Sequence, residues 1–321
     1  MRTLSLIIMM KYLNMKNLQK LFAPFAFVLA FTILFSSCKK DDVAVITPPK
    51  DITVVATENG SFKTLLAAAT KAGLVSTLQG AGPLTVFAPS DAAFTKAGIT
   101  SLDGLTKEAL NPILLYHVLG AKVLAADIKT GQTEAGTAGG PKMYITKNAN
   151  GVFINGNTKV VTTDVGASNG VIHVLDNVLL DIPKKTIASI VTDDATKFST
   201  LLSLVKTAGL ATTLSDPNAS YTVFAPTNDA FTELFKTVNP NTLTVDQIKN
   251  ILLYHVVATR VFSPELTNGE VTMANGGKVT IDLASGVAVK GKSNPVAPKV
   301  TSANVMATNG VIHVIDKVLL P

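Results

Sequence analysis

The sequence predicts an α+β protein made of two tandem domains of one kind. Three observations carry that reading. A set of motifs occurs twice in the same order, amphipathic helical spacing fills the first half of each copy, and short β segments fill the second half. The central repeated block is Thr85-Val-Phe-Ala-Pro-Ser-Asp-Ala-Ala-Phe94, which returns as Thr222-Val-Phe-Ala-Pro-Thr-Asn-Asp-Ala-Phe231. Leu-Leu-Tyr-His stands at 114–117 and 252–255, and Asn-Gly-Val-Ile-His-Val at 169–174 and 309–314. The offset between copies drifts only from 136 residues at the upstream Phe-Leu-Leu segment to 140 at the closing one, so insertions fall between blocks. A repeat this long is a whole domain, since solenoid units run to about 20–50 residues. Each copy is long enough to bury its own core.

In each copy the first element is a helix. Phe62, Leu65, Leu66 and Ala69 follow the i, i+3, i+4, i+7 stripe, and Phe198, Leu201, Leu202 and Val205 repeat it. Gly73 and Gly209 fall where a C-terminal cap is expected, and a second short helix follows each. Thr85–Ala88 and Thr222–Ala225 read as short buried strands that end at Pro89 and Pro226, because proline cannot donate to a ladder. Ser90 and Thr227 are then N-caps of a new helix, with Asp91 and Asp229 in its first turn. Pro89 with Phe94, and Pro226 with Phe231, have the spacing of a hydrophobic staple. The block is therefore a strand-to-helix corner, and Ser90 lacks the Gly-x-Ser-x-Gly frame of a nucleophile.

The Tyr-His helix comes next. Leu110, Ile113, Leu114 and His117 share one face, as do Ile248, Ile251, Leu252 and His255, so both histidines are expected to be hydrogen-bonded core groups. Segments 142–146, 152–154, 159–163, 278–283 and 287–290 read as short strands between Gly/Asn turns. The closing strands, Val171–Asp176 and Val311–Asp316, are apolar on both faces and so are expected at the centre of a sheet.

At the N-terminus, residues 1–37 lack acidic residues, and Lys16 and Lys20 precede an apolar run from Leu21 to Phe35. The run is shorter than the roughly 20 residues that span a bilayer, so it reads as a secretory signal. Met15 is the better start codon, because Met15-Lys-Asn-Leu-Gln-Lys makes an ordinary basic leader. Cys38, the single cysteine, follows Ser36 and Ser37 and resembles a bacterial lipobox cysteine, which would be lipidated. The resulting division is signal peptide 1–37, lipidated Cys38 and tether 38–51, first domain 52–181, linker 182–185 and second domain 186–321. Loss of Arg2, Lys11, Lys16 and Lys20 lowers the formal net charge from +6 to +2. No Lys/Arg block interleaved with aromatics remains, so nucleic acid is not an expected partner.

The four histidines, His117, His173, His255 and His313, give one helical and one strand histidine per domain. A His117/His173 or His255/His313 pair is the only candidate for metal or acid–base chemistry. No metal-ligand spacing or recurrent carboxylate cluster accompanies either pair, and no glycine-rich phosphate loop is present. We therefore expect no enzyme and no cofactor.

Together the Thr-Val-Phe-Ala-Pro block, the Tyr-His pair and the Gly-Val-Ile-His-Val strand resemble the fasciclin-type (FAS1) domain family, over nearly all of 52–181 and 186–321. The resemblance implies a wedge of about seven strands with several helices per domain, a statement of fold that leaves function to the site. It also implies a role in adhesion or matrix interaction. In animal members a Tyr-His segment with flanking aliphatics is linked to integrin recognition, and Leu115–Val118 and Leu253–Val256 match it. Phe87, Pro89, Phe94, Tyr116, His117, His173, Phe224, Pro226, Phe231, Tyr254, His255 and His313 are carried over as fold-defining residues only. The expected protein is a non-catalytic, lipid-anchored envelope protein. Its expected partners are the membrane, through Cys38, and a glycan, matrix or protein ligand; the alternatives are a periplasm-facing structural or lipid-binding protein and, last, a hydrolase or metal-dependent enzyme.

Overall fold

The computed structural model describes residues 49–321, so the readings on the leader and on Cys38 lie outside the described residues. The first domain runs α1 (Ile52–Asn59), α2 (Lys63–Ala72), α3 (Val75–Gln79), β1 (Leu84–Pro89), α4 (Asp91–Lys96) and α5 (Lys107–Tyr116). It continues with β2 (Val118–Leu119), β3 (Gly131–Gly136), β4 (Lys142–Asn148), β5 (Gly151–Ile154), β6 (Thr158–Ala167) and β7 (Gly170–Leu175). The second domain repeats the order as α6 (Ile187–Asp193), α7 (Ala195–Thr207), α8 (Ala211–Ser215), β8 (Tyr221–Pro226), α9 (Asn228–Leu234) and α10 (Val245–Leu253). Its strands are β9 (Val256–Val257), β10 (Gly269–Thr272), β11 (Lys278–Asp282), β12 (Ala288–Gly291), β13 (Val300–Ala307) and β14 (Gly310–Ile315).

Each domain is built on a parallel pair. β7 lies beside β1 with Phe87 opposite His173, and β14 lies beside β8 with Phe224 opposite His313. All six residues of β7 and of β14 are buried, as strands apolar on both faces require. One face meets the helices, where Val86, Ile172 and Val174 pack with Phe62, Leu65 and Leu114. The other meets the remaining sheet, where Phe87 and Leu175 pack with Tyr116, Met143 and Ile154. The strand order in the first domain is β2-β1-β7-β6-β5-β4-β3. In the second, β12 meets only the residue before β13, through an isolated bridge from Ala288 to Lys299, so the sheet divides into β13-β14-β8-β9 and β10-β11-β12. The Asn-Gly that opens each closing strand is set by backbone approach: a Cβ on Gly170 would fall 2.2 Å from the Leu84 carbonyl oxygen, and one on Gly310 would fall 2.2 Å from that of Tyr221.

The helical stripes, the Ser90 and Thr227 caps and the helix after each signature strand stand where the sequence puts them. Two helices were not expected, and the strands β2, β3, β9, β10 and β13 lie outside the segments read as β from the sequence. α1 and α6 precede the first striped helix, and each is a short segment rich in β-branched residues, which periodicity alone reads poorly. In addition α7 starts a turn early, at Ala195, and kinks at Phe198, where φ is −128°.

The two domains meet along a polar and aromatic seam. The Arg260 guanidinium lies 4.0 Å from the Tyr144 ring centroid, and its nitrogens donate to the carbonyls of Ala307, Thr308 and Gly310. Phe262 is fully buried against Tyr144, Met306 and Val311. Asn304, at φ 59°, donates through Nδ2 to the Gly156 carbonyl and to Asn157 Oδ1 across the seam, while its Oδ1 accepts from Ser263 N. Asn148 donates to the Pro264 carbonyl, and Gln132 to Glu265. The β5–β6 turn fits so closely that a Cβ on Gly156 would lie 2.8 Å from both Asn304 and Phe262. Because Gly156 also has φ 74°, Gly156→Val should destabilise the joint by about 1–3 kcal/mol. Calorimetry should show two separated unfolding transitions in place of a common one.

Candidate functional site

The repeated polar residues converge on the interior of each domain. Thr106 caps α5 through Ala109 N, and the helix ends with Tyr116 and His117, which are 0% and 2% exposed. The Tyr116 hydroxyl donates to the Lys142 carbonyl and accepts from Asn155 Nδ2, tying the helix end to β4; burial pushes its pKa up to about 12. His117 Nδ1 lies 2.8 Å from the Ile113 carbonyl, so it carries the proton, and Nε2 accepts from Leu179 N at 3.0 Å. His173 uses the opposite tautomer. Its Nε2 donates to the Val123 carbonyl at 2.8 Å, and Nδ1 accepts from Asp164 N.

The second domain repeats the histidine bonds atom for atom, while its tyrosine accepts from a backbone amide in place of the Asn155 side chain. Tyr254 donates to the Lys278 carbonyl and accepts from Lys292 N. His255 joins the Ile251 carbonyl to Leu319 N, and His313 joins the Val261 carbonyl to Asn304 N. The remaining singled-out residues also turn inward. Phe87 and Phe224 lie with their ring centroids 5.4 and 5.5 Å from those of His173 and His313, and Phe94 and Phe231 belong to the helix-side cores. Pro89 and Pro226 are buried strand ends.

Three repeated groups escaped the sequence reading. Thr85 and Thr222, both 0% exposed, donate to the carbonyls of Ala121 and Thr259 and accept from the amides of Val123 and Val261. Asn169 accepts from Ile52 N and donates to the carbonyls of Leu78 and Gly80; Asn309 does the same with Ile187, Leu214 and Asp216. Asp91 sits in the first turn of α4 but caps α2, accepting from the Thr64 and Lys63 amides, and Asn228 accepts from Thr200 N in the second copy. Their recurrence at fixed positions was the available signal. Asp176 and Asp316, at strand ends, accept from the amides of Lys159 and Lys299.

Chemically, this arrangement holds backbone together and little else. Every ring nitrogen of the four histidines has a backbone partner, so a metal or a substrate proton would have to displace a hydrogen bond in the core. Among the described residues no group of three or more His, Cys, Asp or Glu is placed to hold a metal ion. The Leu-Tyr-His-Val segments matched to an integrin-linked motif present no tyrosine or histidine surface, since Tyr254 and His255 are as buried as Tyr116 and His117.

Burial lowers the pKa of both His117 and His255 to about 4, against the backbone carbonyl bond that favours the proton, and it lowers that of His313 too. The folded state thus keeps these rings neutral while the unfolded chain protonates near pH 6.5. The stability they confer is complete above about pH 6.5 and is lost as pH falls towards 4, by about 3 kcal/mol for each of His117 and His255. Urea titrations from pH 7 to pH 4 should show that slope. The double variant His117→Gln/His255→Gln should be less stable at pH 7 yet flatter in profile. His117→Ala or His255→Ala should each cost about 1–3 kcal/mol at pH 7, because Leu179 N or Leu319 N is left buried without an acceptor.

The fasciclin domain profile matches residues 60–181 and 196–321. Transforming growth factor-beta-induced protein ig-h3 of Sus scrofa is 28% identical over 251 residues, which is 76% of this chain and 35% of that protein. Human periostin is 29% identical over 76% of this chain and 29% of its own length, so this chain spans about a third of these relatives. Protein sll1483 of Synechocystis sp. is 41% identical over 133 residues, 40% of this chain and 72% of its own. A solved FAS1 domain pair from the insect cell adhesion molecule fasciclin I aligns with a TM-score of 0.41 at 18% identity, covering 82% of this chain and 98% of that one. With both copies matched almost end to end, the chain belongs to the fasciclin domain family and is a tandem of two FAS1 domains.

Proposed function

We propose that this protein is a non-catalytic, lipid-anchored component of a bacterial cell envelope whose two FAS1 domains bind an external macromolecule: a glycan, a matrix component or another protein. The observation that carries the reading is the use of the repeated polar side chains. In both domains the tyrosine and histidine of each motif are spent on backbone partners in the core, which leaves recognition to the surface. Family membership supports the same role, since adhesion and matrix interaction are what the resemblance implies. The seam between domains adds to it: hydrogen bonds and the Arg260–Tyr144 stack hold two surfaces in one arrangement, so a ligand can engage both at little ordering cost.

Anchorage rests on the sequence alone, through the apolar run ending at Phe35 and the cysteine at 38. Multiple acyl chains on one cysteine give durable attachment, whereas a single chain gives marginal attachment. A protein facing the periplasm, structural or lipid-binding, is the second reading, and it is favoured by the apolar cavity described below.

A soluble fragment of residues 51–321 should bind envelope or matrix preparations saturably, measured by a pull-down titration; no binding to any preparation would overturn the adhesive reading. External protease applied to intact cells should cleave the wild-type chain, and Cys38→Ala should be released from the membrane. Protection of the wild type would place it on the periplasmic side, and retention of the variant would show that Cys38 is not the anchor.

A further inference from the structure

The two domains differ in one place where their sequences call for likeness. In the second, α6, α7, α8 and α10 surround a cavity of about 490 Å³, lined by Val191, Leu201, Val205, Leu214, Val223 and Leu252 among others. That lies within the ~300–1,000 Å³ of small-molecule sites. At the same place in the first domain, between α2, α3 and α5, the space is about 30 Å³, room for a single water.

Most lining positions are conserved between copies. The bonds of Asn169 and Asn309 fix the correspondence, pairing Ile52 with Ile187 and Leu78 with Leu214. Thr53 therefore answers to Ala188, and Gln79 to Ser215. In the first domain Gln79 Nε2 donates to Thr53 Oγ1 at 3.3 Å, lacing α1 to α3. Ala188 has no side-chain oxygen to receive such a bond, so the second domain is unlaced at that point. A further exchange changes the charge of the rim. Thr70, whose hydroxyl bonds the Leu66 carbonyl, is replaced by Lys206, an exposed residue in the last turn of α7 that lines the cavity. The acidic lining residue, Asp193, is paired with Lys185 at 2.6 Å, whereas no ion pair joins Lys206 to a carboxylate among the described residues.

We infer that the second domain is a binding site for a single-chain amphiphile with an anionic head, of the fatty-acid class. The chain lies in the apolar cavity and the carboxylate faces Lys206. His255 adds no competing polarity, because both its ring nitrogens are bonded to backbone. The inference does not depend on the adhesive reading, and it holds on either side of a membrane.

The test uses residues 48–321, which form one compact unit with its own cores, delipidated and titrated with palmitate by calorimetry and native mass spectrometry. One equivalent should bind. Lys206→Glu should weaken palmitate about tenfold or more while leaving palmitate methyl ester unchanged. Ala188→Thr combined with Ser215→Gln, which restores the lacing of the first domain, should lower the affinity with an unchanged melting temperature. If the double variant melts early, Val205→Phe, which fills the cavity, replaces it. No binding of palmitate, or binding undiminished by both the lacing and the filling variants, would overturn the site. Equal affinity for acid and ester, unaffected by Lys206→Glu, would overturn the anionic head.

Discussion

Everything in each domain is organised by one constraint, the burial of a parallel strand pair on both faces. β1 with β7, and β8 with β14, can pair only if the chain leaves the first strand, builds the rest of the domain and returns to lie beside it. The return brings the last strand between two separate cores, so neither the helices nor the outer sheet can be removed without wetting it. The histidines are placed where that closure must be locked. His117, at the end of α5, takes its second bond from Leu179, just beyond β7, and His255 takes its own from Leu319 beyond β14. An imidazole is suited to this because its neutral form offers one donor and one acceptor on a rigid ring. Burial keeps it in that form.

Repetition made much of this legible in the sequence. The staple of Pro89 and Phe94, the caps at Ser90 and Thr227 and the two-faced apolarity of the closing strands are local patterns with local causes, and duplication removes coincidence. What escaped has non-local causes. Nothing near Asp91 indicates that its carboxylate caps a helix that began 28 residues earlier, and Asn169 reads as a turn residue until the start of α1 and the end of α3 are seen beside it. α1 and α6 were missed because a helix of seven or eight residues with several β-branched side chains draws its stability from docking rather than propensity. The cavity was illegible for a related reason: residues of α6, α7, α8 and α10 bound it together.

Divergence is most informative where the repeat is otherwise strict. Thr85 and Thr222 make identical bonds, and the next recurrent position after their carbonyl partners holds Lys122 in one copy and Arg260 in the other. Only the guanidinium can stack on a ring and distribute donors among three carbonyls at once. Likewise Asp164 and Asn304 share a left-handed backbone and accept from equivalent amides, but only the amide side chain has hydrogens to give to the neighbouring domain.

The seam joins unlike surfaces: the β4–β5 region of one domain meets the segment after β9 and the β13 strand of the other. A head-to-tail contact of this kind has no symmetry to close it, and like units joined this way would extend without limit. The two outward surfaces of the pair lack the residues that make this seam. The receiving surface of the first domain carries Lys122 and Asp164 where the second has Arg260 and Asn304, and the donating surface of the second carries Thr280 where the first has Tyr144. Each half therefore carries the residues of only one side of the joint.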